Sequence, residues 1–360
     1  MTLQIVQVIK YWAEGEITNF IKVWTLVFAS LCYSFFAAKI VPKGFPRLLS
    51  IIPILILNLI LPLNLHTLHL GGSSAFFLAW LANFKLLMFA FGKGPLSDDP
   101  FISLPRFIAL ACLPIKSHQI KPQDKEITSS SKRGLKSLWN YVTKGFLICL
   151  FLKMYDYTDL IHPKFTWVIY CFHIYFGLEI ILAIVGGLAK ALVGIELEPQ
   201  FDEPYLSTSL QEFWGRRWNI MVTRILRPTV YEPVLYFCTS ITGRKWAPLP
   251  AIMGSFLVSA LMHELIFFYL GRKRPSGEIT LFFMLHGVLL VVEVAIKKAI
   301  KGRWRLPRLI TGPLTIGLVV VTAFWLFFPE FLRCNAISRA LDEYATMGAF
   351  VKDISQALVL

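Results

Sequence analysis

The chain has 360 residues, is 56% hydrophobic and only 16% charged, and carries a formal net charge of +14. Soluble domains run closer to a quarter charged, so this composition, with repeated apolar runs of about 18 residues or more, excludes an ordinary soluble domain and implies a polytopic membrane protein. The basic residues are scattered between apolar spans, which argues against nucleic acid and reads first as a topology signal, then as affinity for anionic headgroups or a polyanionic substrate.

Residues 1–20 read as an amphipathic or interfacial lead-in, with Tyr11 and Trp12 as interface anchors. Lys10, Glu14 and Glu16 break up this stretch, so no cleavable signal peptide is expected, and the run from Ile21 would act as an uncleaved signal anchor. Span one covers about 21–40. The loop after it holds Lys39, Lys43 and Arg47 and is placed in the cytosol. Span two covers about 48–64. The segment from His66 to Gly72 lacks Lys and Arg and is expected in the lumen. Span three, about 73–92, contains Asn83 and Lys85, and a lysine at that depth must snorkel, pair or face a cavity.

The stretch 101–115, cut by Pro105, Arg106 and Pro114, is too short to span and reads as re-entrant or interfacial. A mobile, basic cytosolic loop is expected over about 116–138. Span four follows at about 139–155, and span five at about 165–193 carries His173 and Glu179. The polar, aromatic segment from Glu196 to Asn219 comes next. Ser207 or Thr208 would cap a helix starting near Leu210, with Gln211 in the capping-box position. Gln211, Gly215 and Trp218 then share one side, and the segment is expected to dip into the protein from the cytosolic face. A short apolar stretch, 229–241, precedes span six at about 248–270, span seven at about 279–296 and span eight at about 309–328. Arg272, Lys273 and Arg274 flank span seven on one side, against a larger basic group from Lys297 to Arg308 on the other, so 271–278 is placed in the lumen despite its charge. The expected fold is an all-α polytopic bundle of about eight transmembrane helices plus re-entrant pieces, in one membrane-embedded domain, 1–360.

Several chemistries are absent. Cys32, Cys112, Cys149, Cys171, Cys238 and Cys334 form no Cys-x-x-Cys pair, so neither a disulfide framework nor a zinc site is expected. Of the histidines only His66 and His69 are close, against the clusters that membrane di-iron enzymes need. The His-x-x-x-x-Asp and His-His-x-x-x-Asp-Gly acyltransferase boxes, a Gly-x-Ser-x-Gly elbow and a P-loop are all missing. What remains is His263, beside Glu264 in span six. An ionisable group at bilayer depth is costly and marks a functional site by default; the alternative is a packing histidine with a satisfied hydrogen bond.

The segments Leu210-Gln-Glu-Phe-Trp-Gly-Arg-Arg-Trp-Asn219, Arg227-Pro-Thr-Val-Tyr-Glu-Pro233 and Ser259-Ala-Leu-Met-His-Glu-Leu-Ile-Phe-Phe-Tyr269 are long and distinctive. With Trp80-Leu-Ala-Asn-Phe-Lys-Leu-Leu87, Gly94-Pro-Leu-Ser97 and Glu198-Pro-Gln-Phe201, they resemble the plant wax synthase-type family of the membrane-bound O-acyltransferase superfamily, over nearly the whole chain. The resemblance implies an acyl-CoA-dependent, ester-forming enzyme of the endoplasmic reticulum membrane. It implies His263 as catalytic base and Asn219 as its active-site partner, with no metal and no cofactor beyond the co-substrate acyl-CoA.

A base fits the reaction, because an alcohol is a poor nucleophile until its proton is taken as it attacks. Asn219 would donate to the developing oxyanion, or orient the imidazole or the substrate. Arg216 and Arg217 meet coenzyme A phosphates or serve as interfacial arginines. Trp214 and Trp218 wall the acyl-CoA channel or anchor at the interface. Glu264 holds the His263 ring or pairs elsewhere, and His286 lines the acceptor pocket or packs structurally. The expected acceptor is a long-chain fatty alcohol drawn from the bilayer, giving a wax ester. The alternatives are a sterol, suggested by Arg227–Pro233, Arg333–Asn335 and Leu341–Tyr344; diacylglycerol with an acetyl donor; and, from another class, a non-catalytic lipid transporter or scaffold on the same fold.

Overall fold

The computed structural model describes residues 14–114, 130–193, 200–300 and 307–359. Most of the expected N-terminal lead-in, the first part of the basic loop and the residues just before Gln200 lie outside these. The described residues are helical throughout, without strands. They form α1 (Glu16–Ile40), α2 (Phe45–Ile60), α3 (Leu68–Ala90), α4 (Leu104–Cys112), α5 (Ser130–Met154), α6 (Pro163–Val193), α7 (Leu210–Glu212), α8 (Ile220–Leu226), α9 (Glu232–Trp246), α10 (Pro248–Gly271), α11 (Glu278–Ile300), α12 (Arg308–Arg333) and α13 (Ala336–Val359). Seven helices among the described residues are long and apolar enough to cross a membrane. All eight expected spans are helices, but α5, the fourth, is not among the seven. It carries Lys132, Arg133, Lys136, Lys144 and Lys153 along its length. It also begins at Ser130, inside the expected basic loop, because lysine, arginine and leucine sustain helix well.

The chain gathers into two compact units, residues 115–201 and the remainder. Within the smaller one, Lys144 pairs with Glu179, and the Tyr155 hydroxyl lies 2.7 Å from His173 Nδ1. Lys144 and Glu179 join α5 to α6, and Tyr155, in the turn just after α5, meets His173 on α6.

In the larger unit, polar side chains inside spans are spent on other helices. Lys85 is buried and donates to the Leu110 and Leu113 carbonyls at 2.6 Å, closing the open C-terminal end of α4. Asn58 Nδ2 donates to Asn83 Oδ1 at 3.0 Å, and Asn83 donates on to the Leu55 carbonyl. One end of the unit is held by side chains on backbone carbonyls. Arg272 donates to the carbonyls of Pro62, Leu63 and Leu65, Lys273 to that of Arg333, and Arg333 to that of Arg274. The basic loop 271–278 therefore shares an end with the segment 61–69, as the charge count suggested, and its cations satisfy carbonyls there. Glu343 completes this end. It accepts from the Leu68 and His69 backbone N–H groups and lies 2.6 Å from His69 Nδ1.

The core lies where α10, α11 and α12 meet the α7 segment, around Phe256, Ala260, Phe267, Phe282, Phe283 and Leu326. Gly287 sets the approach of α10 to α11. A Cβ there would sit 3.1 Å from both the Met253 sulfur and Phe256 Cβ. Gly287→Val should force these helices apart, lower stability by about 1–3 kcal/mol, and depress the thermal midpoint of the detergent-purified protein, whereas Gly317→Val, in open space, should not.

Candidate active site

His263 sits in α10 about two turns from Gly271, roughly 12 Å in from that end of the helix. Its Nδ1 lies 2.7 Å from the Ser259 carbonyl, one turn earlier on the same helix. A carbonyl only accepts, so Nδ1 carries the proton and Nε2 keeps its lone pair. Nε2 has no partner among the described residues. Around the ring stand Phe283 at 4.3 Å, Trp80 at 5.0 Å and perpendicular, and Phe327 at 6.2 Å between centroids. These three neighbours are aromatic rings, one of them carrying the Trp80 indole N–H. That N–H is buried and has no acceptor among the described residues, a situation that costs about 1–3 kcal/mol when nothing fills it.

The α7 segment reaches into this shell. It runs from α7 through a π-helical turn, Phe213–Arg217, into α8. Trp214 packs on Phe256, Phe282 and Phe283, so Phe283 touches both Trp214 and His263. The Trp214 indole donates to His286 Nδ1 at 3.1 Å. An indole N–H only donates, so His286 is protonated on Nε2, which donates to Thr322 Oγ1 at 2.8 Å. The Thr322 hydroxyl donates on to the Leu318 carbonyl at 2.7 Å. His286 is fully buried with both nitrogens engaged, so it joins three elements. Trp214 is thereby tied into this core by its indole as well as by its ring contacts.

Asn219 begins α8 in the left-handed conformation, φ 43°, and its Oδ1 accepts from the Val222 N–H at 3.4 Å. Asparagine tolerates that region because its short polar side chain bonds locally. Its amide nitrogen has no partner among the described residues. Asn219 makes no hydrogen bond to His263; the Ser259 carbonyl orients the imidazole. The link between them runs through the Thr223 hydroxyl, which donates to the Trp214 carbonyl at 3.0 Å, and then through Trp214 and Phe283.

The other expected site residues divide. Glu264 does not hold the His263 ring. Its Oε1 accepts from the Thr280 N–H and hydroxyl, both at 3.0 Å, at the start of α11, where a carboxylate meets the positive end of the helix. Arg217 is committed to Glu212 at 2.8 Å and to the Asp202 carbonyl at 2.9 Å. Arg216 is exposed and has no partner among the described residues. Trp218 stacks on Phe213 at 5.5 Å. Gln211 is exposed, its Oε1 3.4 Å from Lys297 Nζ.

The capping expectation is corrected by one step. Ser209, not Ser207 or Thr208, is the N-cap, accepting from the Glu212 N–H, and Glu212 takes the reciprocal place by accepting from the Thr208 N–H and hydroxyl. The pattern Ser209-x-x-Glu212 was present to be read. Glu293 of α11 accepts from the Leu210 and Gln211 N–H groups, a long-range cap that no local pattern announces.

Residues 197–285 match the model of the membrane bound O-acyl transferase family. The chain is 50% identical over 341 residues to acyl-CoA–sterol O-acyltransferase 1 of Arabidopsis thaliana, covering 94% of this chain and 98% of that one. The long-chain-alcohol O-fatty-acyltransferase of Simmondsia chinensis is 46% identical over 93% of this chain and 95% of its own. The chain belongs to the wax synthase-type family of membrane-bound O-acyltransferases. It is an O-acyltransferase and an integral multi-pass membrane protein. A further relative, probable long-chain-alcohol O-fatty-acyltransferase 3 of Arabidopsis thaliana, is 42% identical over 94% of this chain. The matched 197–285 stretch contains the whole α7 segment, Asn219 and His263.

The Thr208 N–H and the Arg217 guanidinium hold the Glu212 carboxyl down at about 2. A carboxyl depressed in the folded state adds stability above its ordinary value of 4.5, and that stability is lost as pH falls through about 2. Thermal midpoints measured from neutral pH downward should fall across this window, and Glu212→Gln should lower the neutral-pH midpoint while flattening the slope.

Proposed function

We propose that the chain transfers an acyl group from acyl-CoA to the hydroxyl of a long-chain alcohol dissolved in the endoplasmic reticulum membrane, with His263 as general base. The observation that carries this reading is the state of the imidazole. Its proton is fixed on Nδ1 by the Ser259 carbonyl, and the basic Nε2 is left without a protein partner inside an aromatic shell.

The alcohol donates its proton to Nε2 as its oxygen attacks the thioester carbon. The tetrahedral intermediate then collapses by breaking the C–S bond, and the imidazolium returns the proton to the departing thiolate. An oriented base of this kind typically contributes about 10²–10⁴-fold. Asn219, with its amide nitrogen free, serves as a donor to acyl-CoA on the α7 side of the site, and Arg216 meets phosphate at the same mouth. The aromatic walls keep water from competing as acceptor. A second reading, a sterol acceptor, is favoured by the 50% identity with a named sterol acyltransferase, slightly above that with the fatty-alcohol enzyme.

The test uses microsomes from yeast lacking its own neutral-lipid acyltransferases, supplied with labelled acetyl-, lauroyl- and palmitoyl-CoA and with hexadecanol, sterol and diacylglycerol in competition. Wax ester that falls at least about 10²-fold in His263→Ala is the expected result. Steryl ester or acetylglyceride with the same dependence would keep the base and move the acceptor. Equal activity in both proteins would remove His263 from the chemistry and leave a lipid-handling role.

A further inference from the structure

We infer that Trp80 is a second catalytic residue, its indole N–H donating to the acyl carbonyl oxygen while His263 takes the alcohol's proton. The inference rests on the acyl-transfer reading above and deepens it.

Trp80 is 1% exposed, and its Nε1 is buried with no acceptor among the described residues. The other indole of the site shows the contrast: Trp214 donates to His286. Buried indoles ordinarily find such a partner. Trp80 stands perpendicular to the His263 ring, 5.0 Å away, so an unpaired donor and an unpaired base share one aromatic shell. An indole N–H donates and cannot accept. Its matching ligand atom is therefore an oxygen with lone pairs, and a thioester carbonyl on the way to an oxyanion is one.

Trp80 lies in a π-helical segment, Phe76–Ala82, within α3, one of four such segments among the described residues. The Phe213–Arg217 segment holds the other indole of the site, Trp214. Ala79 on the Trp80 segment and Ala75 just before it pack with Tyr269, on the helix that carries His263. Tyr269 in turn donates to the Leu59 carbonyl at 2.6 Å. The donor is thus held by packing before substrate arrives, the condition under which an oxyanion donor is effective.

In the transfer step, the alcohol oxygen forms a bond to the acyl carbon as its proton passes to His263 Nε2. The carbonyl π pair moves onto the oxygen facing Trp80 and is stabilised by the Nε1–H bond. That pair then re-forms the carbonyl as the C–S bond breaks, and coenzyme A leaves as a thiol with the proton from the imidazolium. Trp80 gives up no proton and is unchanged.

The experiment uses the full-length enzyme in nanodiscs. Trp80→Phe removes the N–H and some volume, while replacing Trp80 by its benzothiophene analogue removes the N–H and keeps the shape. The expected result in both is a fall in kcat of about 10²–10³-fold with KM for acyl-CoA changed less than about threefold. The carbonyl stretch of bound ¹³C-labelled acyl-CoA, recorded without alcohol, should be shifted to lower frequency in the unaltered protein and return toward the free thioester in both variants. Unchanged kcat in the benzothiophene variant would overturn the inference, even if Trp80→Phe is inactive, since shape alone would then suffice. A fall in kcat with no change in the carbonyl band would also overturn it. His263→Ala, run alongside, separates the readings: activity retained there would sink the base assignment, not the role of Trp80.

Discussion

The bond between His263 Nδ1 and the Ser259 carbonyl decides what the rest of the site can do. An imidazole in an apolar shell could be held in either tautomer or by either nitrogen. Here the holding group is a carbonyl on its own helix, one turn away, so the orientation depends on no second element. Rotating α10 or sliding its neighbours changes which rings face the imidazole, but not which nitrogen carries the proton. The base is made within one helix.

His286 shows the opposite arrangement in the same core. It is protonated on Nε2 because an indole donates to its Nδ1, and its proton goes to a threonine whose hydroxyl is already committed to the helix backbone. Both nitrogens are consumed by α12 and the α7 segment, so this histidine joins helices and has no lone pair to offer a substrate. Depth and residue type do not distinguish the two histidines. The partners do, and one partner type, donor-only indole against acceptor-only carbonyl, sets the tautomer in each case.

The helices, their approximate limits and the candidacy of His263 were legible because they rest on local signals: apolar length, charge at the ends, and an ionisable group inside a span. The family resemblance brought Asn219 and the segment from Leu210. Less legible was everything that depends on which helix meets which. Lys85 was recognised as needing a partner, but α4's carbonyls became that partner only through packing. Glu264 adjoins His263 in sequence, and helical geometry turns it toward Thr280 instead. Arg216 and Arg217 are adjacent and alike in composition, yet one is paired and the other free. Trp80 itself entered only as part of a stretch that resembles the family. Nothing local distinguishes it from other tryptophans until the perpendicular contact with His263 is seen.

The same constraint governs the basic loop between α10 and α11. A cluster of arginine and lysine would ordinarily mark a cytosolic loop. Arg272 and Lys273 instead satisfy carbonyls of the 61–65 segment and of Arg333, where helix ends would otherwise leave acceptors open. Their charge works on the protein backbone before it can work on topology. Glu343 and Glu16 do the complementary service for the N–H groups of 66–69, where α3 begins. α3 is the helix that carries Trp80. Its start is fixed by side chains from distant parts of the chain, α1 and α13, and its π-helical segment holds the indole. The placement of the proposed donor beside His263 therefore depends on Glu16 of α1 and Glu343 of α13 as well as on the helices that touch the imidazole.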